Sequence, residues 1–439
     1  MLSEDYFFCV PSGTRVETEN GVMNITDIVN NRYAGKVKSL DSSGEFVWKN
    51  IVNWWVRPNE GKKWVRVDTD SDNNTKAKLK CTDDHKVACF SDILNPVLEY
   101  TEAKNLAGRY MVRNPGMREN SLYSREQLSV LVGTLLGDGH ISPTGQLQIV
   151  HSIKQKEYLN LKAEILNGSI TKDRPNTGFG DGEKCVSMYA PINAQTKYLR
   201  SKFYNETGTK TVSAILDLID EKALAFWYLD DGNYQRGSGM QIATYSFSYD
   251  EHVLLQDMFK NKWGIDCKID LITRSYDPDR QKVAYSKEPD RVYYRLRFGV
   301  SASDKIAELI AKYVPDCMKY KLPEKYQTVE QHTFDNKPLG FSATKVKEVV
   351  YQPKLISRLY DIEVEDTHNF VANGTVVHNC QEVRKAGGKV WLCPWMKLEH
   401  QGSHVYGGSL MDIAQLGVSA TADPELLRKQ REQGRNERP

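Results

Sequence analysis

A nine-residue stretch, LVGTLLGDG at residues 131–139, recurs loosely as LAFWYLDDG at residues 224–232, an offset of 93 residues. The first copy follows a helix-start signal, because Ser124 and Gln127 have the spacing of a capping box and leucines follow at helical intervals. Shorter matches follow at offsets of 93 and 94 residues: Gln148-Ile149 with Gln241-Ile242, Ser152 with Ser246, and Glu157 with Glu251. The repeat predicts two copies of one helix–sheet module, related by a pseudo-two-fold axis.

The residues on both sides of this repeat have the pattern of short β-strands separated by turns. Thr18-Glu19-Asn20-Gly21 predicts a hairpin, because Asn-Gly tolerates the positive φ angles of a type I′ turn. The character changes near Asn120, and strand patterns return near Ala343 and continue to His378. Strand-like segments lie at 14–67, 78–90, 100–112, 343–351 and 359–364, with a short helix at 102–106. The sequence therefore predicts a β-rich unit interrupted by an α/β unit of roughly 200 residues, as exposed loops allow.

Composition narrows the class of protein. The 439 residues are enough for two or three domains, and 40% hydrophobic with 26% charged residues is typical of a globular protein. No apolar run approaches the ~20 residues of a membrane-spanning helix, so no membrane partner is expected. Glu4 and Asp5 stand where a signal peptide would be basic and then apolar. The formal net charge of +2 means that a surface for nucleic acid must be local.

The eight cysteines lack a CxxC pair, which favours free thiols over a disulfide framework or a zinc site. Free thiols predict a reducing compartment, namely the cytoplasm. Six cysteines are interpreted as buried core thiols: Cys81, Cys89, Cys185, Cys267, Cys317 and Cys393. The other two, Cys9 and Cys380, have neighbours that indicate chemistry.

Those neighbours supply the groups that protein splicing needs. The Cys9 thiol can attack the Phe8 carbonyl and exchange the peptide bond for a thioester, and the Cys380 thiol can take over that acyl group. Asn379 can cleave its own C-terminal bond when its side-chain amide cyclises to a succinimide. His378 can protonate the departing amine or polarise the carbonyl. An S-to-N shift would then join Phe8 to Cys380.

This set of residues resembles the intein family, which has the all-β Hint fold, over about 9–113 and 343–380. The resemblance implies that Thr82 and His85 are the TxxH motif that activates the upstream bond. It implies that Asp361 coordinates transfer to the second thiol and that His368 assists asparagine cyclisation. Splicing of this kind needs no cofactor.

The repeated motif resembles the LAGLIDADG homing endonucleases over about 124–325. The resemblance implies two motif helices side by side on the pseudo-two-fold axis, where Gly133 and Gly137 suit close approach. Each helix would deliver one acidic residue, Asp138 and Asp231, and paired carboxylates bind Mg²⁺, which activates water and stabilises the leaving oxygen. The implied partner is double-stranded DNA, the target being the uninterrupted host gene, and the protein is expected to be a monomer.

Two lysines and a second aspartate are further candidates for the nuclease site. Lys210 and Lys321 match lysines that polarise water near the metal ions. The second motif departs from the pattern at Phe226 and at Asp230, which makes Asp230 a rival to Asp231 for the metal. This departure supports an alternative hypothesis, in which the nuclease has decayed and only binds DNA.

The segment 292–298 predicts a surface for DNA. Period-2 alternation places Tyr293, Arg295 and Arg297 on one polar, basic face of a strand, which suits phosphates and guanine edges. A solvated strand face has the same pattern, so both interpretations stay open. Three nearby residues add positive charge: Lys282, Lys287 and Arg291.

The flanking segments resemble part of a GT-A-type glycosyltransferase, with Asp5 and His400 at its metal-binding positions. The expected fold is multidomain, an all-β Hint fold interrupted by an α/β (α+β) LAGLIDADG endonuclease. The expected division is 1–8 N-extein, 9–119 and 341–379 Hint domain, 120–340 endonuclease, and 380–439 C-extein. A cleavage-only module of the hedgehog type is the rival to splicing, and the Asn379-Cys380 pair argues against it.

Overall fold

The computed structural model describes residues 9–59, 61–70, 78–116, 120–175, 184–273, 292–353 and 356–379, and two short strands near the C-terminus. The chain forms two compact units, one of Phe7–Cys380 and one of Met1–Tyr6 with Gln381–Pro439. In the latter unit, His400–Gln401 and Val405–Tyr406 pair as an antiparallel hairpin. Within the described part of the chain, no helix has the length and apolar character needed to span a membrane.

The N-terminal part of the larger unit consists mainly of strands, as predicted. Its elements are β1 (Arg15–Thr18), β2 (Gly21–Asn24), α1 (Ile25–Asn30), β3 (Lys36–Leu40), β4 (Phe46–Pro58), β5 (Trp64–Thr69), β6 (Leu79–Thr82), β7 (Lys86–Phe90), β8 (Glu99–Glu102) and β9 (Tyr110–Arg113). The hairpin of β1 and β2 is present, but its turn differs from the prediction. Neither Glu19 nor Asn20 has a positive φ; Gly21 does, at 103°. Gly21 pairs with Thr18 in the strand ladder, so the two central residues of the turn are Glu19 and Asn20. A type I′ turn needs a positive φ at both central residues, and this turn is therefore not type I′.

The repeat forms two modules with a similar order of helices and strands, except that the first has one additional short strand, Arg174–Pro175. The first contains α2 (Arg125–Leu136), β10 (His140–Ile141), β11 (Leu147–Ser152), α3 (Lys156–Ile165), β12 (Ser169–Ile170), β13 (Arg174–Pro175), β14 (Lys184–Tyr189) and α4 (Ala194–Phe203). The second contains α5 (Glu221–Asp231), β15 (Gly232–Gln235), β16 (Gly239–Ile242), α6 (Tyr249–Trp263), β17 (Lys268–Thr273), β18 (Val292–Phe298) and α7 (Val300–Ile310). Each module has its own sheet, ordered β10-β11-β14-β12 or β15-β16-β18-β17.

All strand pairs in these two sheets are antiparallel, so the modules are α+β rather than α/β with a parallel sheet. The predicted capping box at the start of α2 is confirmed: Ser124 and Gln127 each bond the other's backbone. Short 3₁₀ helices complete the larger unit: Ala103–Asn105, Ile153–Gln155, Leu216–Leu218, Ala311–Tyr313, Asp316–Lys321 and Glu324–Tyr326.

After the second module the chain returns to the large sheet. The returning strands are β19 (Ser342–Gln352), β20 (Arg358–Val364), β21 (Asn369–Ala372) and β22 (Thr375–His378). The sheet order is β20-β4-β3-β1-β21-β22-β7-β9-β19-β5-β6, with β2 on β1 and β8 on β7. Strand β9 leaves this sheet beside the point where β19 re-enters, since Arg113 pairs with Ser342. The neighbouring ends explain how about 230 intervening residues can be accommodated without breaking the sheet.

The two motif helices are packed against each other at very short range. A methyl group on Gly133 would lie 2.2 Å from the Ala223 carbonyl oxygen, and one on Gly137 would lie 2.4 Å from the Asp230 Cβ. Phe226, which departs from the motif, is fully buried and packs on Tyr158. The bulkier second motif therefore does not prevent close approach, because glycines of the first motif leave the space.

Gly133→Ala should lower the midpoint of thermal unfolding. Alanine is favoured over glycine in a helix by about 1 kcal/mol, but the added methyl group meets backbone, and overpacking costs about 1–3 kcal/mol or more. Gly116→Ala is the matched control, because Gly116 is exposed and a methyl group added there would have no atom within 4 Å. Equal midpoints for Gly133→Ala and the control would contradict the close helix contact.

Candidate functional site

Cys9 is held by backbone contacts to the turn between β6 and β7. Its N–H donates to Thr82 Oγ1 at 3.4 Å, and its carbonyl oxygen accepts from the Thr82 N–H at 3.1 Å. The same oxygen lies 3.2 Å from His85 Nδ1, which must carry the proton because a carbonyl can only accept. Cys9, Thr82 and His85 are all buried. The structure thus brings together three residues that span 76 positions of the sequence.

The downstream residues stand at the end of β22. The β21–β22 hairpin turns at Asn373 and Gly374, whose positive φ angles of 51° and 79° form the type I′ turn that Asn-Gly favours. His378 ends the strand, and its Nδ1 lies 2.7 Å from the carbonyl oxygen of Asn379. That carbonyl belongs to the bond between Asn379 and Cys380. The His378 ring therefore donates to the group that succinimide formation would attack.

The Asn379 side chain is buried and anchored at both ends. With its amide oriented to satisfy the network, its nitrogen donates to the His368 carbonyl at 2.7 Å and its oxygen accepts from the Val364 N–H at 2.8 Å. The Asn379 N–H also donates to the His368 carbonyl, at 3.0 Å. His368 has a left-handed backbone with φ of 52°. The contact between His368 and Asn379 thus runs through the His368 carbonyl.

Strand pairing brings the two ends of this segment together. Val377 of β22 pairs with Val87 of β7, two residues after His85. His85 also interacts with the backbone of His378, so one imidazole contacts both the first and the penultimate residue of Cys9–Asn379. Tyr100, which the sequence analysis did not identify, packs edge-on against the His378 ring at 5.1 Å.

Two further residues predicted for splicing are Asp361 and Cys380. Asp361 is buried in β20, next to Tyr360, whose backbone pairs with that of Val10. It is therefore on the strand that borders the residue after Cys9. Cys380 lies outside the described residues.

Burial keeps both histidines of this site neutral near pH 7. It lowers the pKa of His85 to about 4, although hydrogen bonds and Asp84 oppose this effect. Burial also lowers the pKa of His378 below its usual range. A neutral imidazole with its proton on Nδ1 fits the carbonyl contact of each ring.

The second group of predicted residues lies where the motif helices end. Partial burial and repulsion from Asp230 raise the pKa of Asp138, although its side chain is 42% exposed. Burial and repulsion from Asp138 and Asp230 raise the pKa of Asp231 to about 8, against an ordinary value of 3.8. Both carboxyl groups therefore hold a proton more tightly than an exposed aspartate does, despite the lysines nearby. Oxygen ligands of this kind suit Mg²⁺, and the residues fit a divalent cation.

The two predicted lysines occupy equivalent places in the two modules. Lys210 Nζ donates to the Gly137 carbonyl at 2.6 Å, and Lys321 Nζ donates to the Leu229 carbonyl at 2.6 Å. Both carbonyls lie at the ends of motif helices, where the helix dipole favours a cation. Burial lowers the pKa of both lysines, and the carboxylates nearby oppose that shift.

Asp230 has a different environment from Asp231. Its side chain is fully buried and pairs with the buried Lys162 at 2.5 Å. Lys162, Tyr158 and His151 around it were missed by the sequence analysis. A signal was present, since Lys162 lies at helical spacing on the apolar side of α3, and a buried lysine requires a partner.

The strand β18 has the predicted alternation. Leu296 and Phe298 are buried, while Arg295 and Arg297 lie on the opposite face. Both arginines contact Asp270 of β17, at 3.5 and 2.8 Å, so part of their charge is neutralised. Tyr293 packs edge-on against Tyr245. The additional basic residues Lys282, Lys287 and Arg291 lie outside the described residues.

Comparison with known proteins identifies the repeated region. Residues 128–276 match the LAGLIDADG DNA endonuclease family. The protein named DNA endonuclease I-ChuI from Chlamydomonas applanata is 25% identical over 222 residues, which cover 46% of this chain and 96% of that protein.

Other similarities extend over most of the chain. A protein named RecA from Mycobacterium shimoidei is 27% identical over 412 residues, covering 87% of this chain and 88% of that protein. A crystal structure of a variant of the Ssp DnaB mini-intein matches 85% of this chain and 98% of that chain, with 6% identity and a TM-score of 0.24. The resemblance of the flanks to a glycosyltransferase is not supported. Asp5 lies outside the described residues, and only the backbone of His400 is described.

The raised pKa of Asp231 predicts how stability depends on pH in metal-free protein. As the pH rises through about 4, the unfolded state releases the Asp231 proton, whereas the folded state keeps it until about pH 8. The carboxyl group therefore lowers the free energy of unfolding increasingly across this pH range, and by the full amount above it. Asp231→Asn should therefore raise the unfolding midpoint by a few degrees at pH 8.5 in EDTA, and by less at pH 5.

Two controls accompany this measurement by scanning calorimetry. Asp217→Asn alters an exposed aspartate and should leave the midpoint unchanged at both pH values. Added Mg²⁺ should stabilise the parent more than Asp231→Asn. A midpoint difference that does not depend on pH would show that Asp231 ionises normally in the folded protein.

Proposed function

We propose that the chain is a self-splicing precursor, in which Cys9–Asn379 excises itself and joins Phe8 to Cys380. The observation that carries the proposal is that the pairing of β22 with β7 places His378 and Asn379 near His85, whose buried ring contacts the Cys9 carbonyl. It supports a site in which the two scissile bonds lie close enough for acyl transfer between two thiols.

In the first step the Cys9 sulfur attacks the Phe8 carbonyl carbon, a C–S bond forms, the amide C–N bond breaks, and the proton passes to the Cys9 nitrogen. Thr82 accepts from the Cys9 N–H and His85 donates to the Cys9 carbonyl. Together they fix the orientation of this residue. Transfer of the acyl group to the Cys380 sulfur then frees the Cys9 thiol.

In the later step the Asn379 side-chain nitrogen attacks its own carbonyl carbon. The Asn379–Cys380 bond breaks, the Cys380 nitrogen takes a proton, and a succinimide remains. His378 Nδ1, at 2.7 Å, donates to the oxygen on which negative charge develops. Tyr100 packs against this ring and limits its rotation.

The buried Asn379 favours splicing over the cleavage-only alternative, which needs no asparagine at this position. The alignment with RecA from Mycobacterium shimoidei covers 87% of this chain. Cys9–Asn379 is nearly as long as this aligned part. The proposal therefore assigns this likeness to the excised element and not to the flanks.

The proposal includes a second activity, metal-dependent cleavage of double-stranded DNA by the monomeric LAGLIDADG domain. Asp138 and Asp231 would hold the divalent cation, normally Mg²⁺, which when bound supplies charge stabilisation and an activated water. Lys210 and Lys321 hold the ends of the motif helices and place positive charge beside the site. Tyr293, Arg295 and Arg297 form the face of β18 that would contact DNA. The close helix packing around Gly133 and Gly137 favours an active over a decayed nuclease.

Cys9→Ala should abolish ligation, because no thiol then adjoins Phe8, while cleavage after Asn379 needs only local geometry and should persist.

Asn379→Ala should block downstream cleavage and leave a thioester at Cys9, from which added thiol releases the N-terminal segment. Mass spectrometry of the purified variants reads both outcomes. Cys317→Ala, at a thiol outside the site, should splice as the parent does. Ligated product from Cys9→Ala would refute the junction assignment.

Asp138→Asn and Asp231→Asn should each reduce DNA cleavage by orders of magnitude, because an amide cannot replace a charged metal ligand. Splicing should be unaffected, since the two sites share no residue. DNA binding should survive, because it depends mainly on basic residues. The assay uses magnesium and DNA spanning the uninterrupted host junction. Full cutting by Asp231→Asn would transfer the role to Asp230, and an inactive parent would favour the DNA-binding alternative.

A further inference from the structure

Asp230, in the second motif helix, contacts residues of the first module. Gly137 occupies the equivalent position of the first motif, and the Asp230 side chain fills the space that this glycine leaves. Its Oδ1 pairs with Lys162 at 2.5 Å and accepts from the Tyr158 hydroxyl at 3.0 Å. Its Oδ2 accepts from the N–H of Asp138 at 3.2 Å. A residue of α5 therefore holds the backbone of the acidic residue that follows α2.

Lys162 reaches Asp138 by a second route, through His151. The ammonium lies 3.4 Å from His151 Nε2. Because an ammonium only donates, Nε2 accepts and the ring proton sits on Nδ1. Nδ1 lies 3.0 Å from Gln155 Oε1 and 3.7 Å from Asp138 Oδ2. The same buried charge thus orients a group that faces the Asp138 carboxylate.

The cluster could be mistaken for a metal site. Asp138, His151 and Asp230 each offer a ligand atom, and these atoms lie within 4.8 Å of one another. However, the Lys162 ammonium already contacts both Asp230 and His151, and it is 0% exposed. A tethered cation occupies the place that a metal ion would take, so Asp230 is matched in charge without one.

The second module has no such arrangement among its described residues. At the offset of 94, His252 and Gln256 stand at the positions of Tyr158 and Lys162. His252 Nε2 contacts Thr244 Oγ1 at 2.6 Å, and Gln256 donates to the Cys267 carbonyl. Asp138 is therefore held by a buried ion pair that has no counterpart for Asp231 in the described part of that module.

We propose that Lys162 and Asp230 are positioning residues of the nuclease site, a buried ion pair that fixes Asp138 through its N–H and through His151. This inference rests on the proposed nuclease function. It assigns to Asp230 the role of an anchor, and leaves metal binding to Asp138 and Asp231.

Single substitutions would leave a buried charge unpaired and could unfold the protein, so the test uses neutral pairs. Lys162→Met with Asp230→Asn removes both charges but keeps an oxygen for the Asp138 N–H. Lys162→Met with Asp230→Ala removes the charges and that oxygen. Lys156→Met with Asp173→Ala breaks an exposed ion pair, at 3.3 Å, between the first residue of the same helix and the segment before β13, and is the matched control.

Single-turnover cleavage, DNA binding, Mg²⁺ titration by calorimetry and thermal unfolding are measured for the full chain. The alanine pair should fold and bind DNA within about three-fold of the parent, but cleave roughly 10- to 100-fold more slowly, the cost typical of a misplaced catalytic group. The asparagine pair should recover most of that loss, and the control pair should match the parent.

Two results would overturn the inference. Parent-like cleavage by the alanine pair would show that the ion pair serves stability alone. Equal loss of cleavage and of Mg²⁺ affinity in both pairs would show that Asp230 is a metal ligand. Amide hydrogen exchange at Asp138 separates this inference from the nuclease proposal: exchange should quicken in the alanine pair but not in the asparagine pair, even if the parent cuts no DNA. Unchanged exchange in both pairs would also contradict it.

Discussion

The pairing of β22 with β7 is the contact on which the proposed splicing site depends. It carries His378 and Asn379 from the C-terminal end of the folded unit to the turn that binds Cys9. Both ends are buried and fixed by backbone hydrogen bonds, so neither scissile bond needs a flexible approach to the other. Chemistry that consumes its own backbone cannot rely on a substrate-binding step, and strand register supplies the proximity instead.

The two repeated modules depend on a different contact, the close approach of α2 and α5. Gly133 permits backbone contact, while Gly137 makes room for one acidic side chain, Asp230. The two modules therefore have a similar order of elements but differ in the charged side chains beside their motif helices. The ends of both helices bear a lysine on a carbonyl, but among the described residues only the Asp138 side has a pair like Lys162–Asp230.

The sequence predicted those features that local chemistry defines. Cys9, His378 and Asn379 were predicted as splicing residues because splicing demands a thiol, a histidine and an asparagine beside the scissile bonds, and this assignment stays a prediction. The repeat predicted two matching modules, and helical spacing with a capping box predicted α2. The turn at Gly21 was assigned wrongly, because Asn-Gly is equally compatible with a turn that ends at the glycine.

Other features depend on contacts between distant residues, which one sequence does not reveal. Lys162 stood on the apolar side of its helix, yet its partner lies 68 residues away in the other module. The contact from His368 to Asn379 is made by a backbone oxygen, which no motif specifies. Asp270 pairs with Arg295 and Arg297 of the β18 face. The alternation of residues along β18 predicted that face but could not reveal a partner on another strand.

We propose that the first and last residues of Cys9–Asn379 form one splicing site. Expressing the unmutated chain and sequencing its small product by tandem mass spectrometry tests this proposal. One splicing site should yield a peptide in which residues 1–8 continue directly into 380–439, with an excised fragment that ends in succinimide. Free, unjoined flanks, or an intact chain after prolonged incubation, would contradict it.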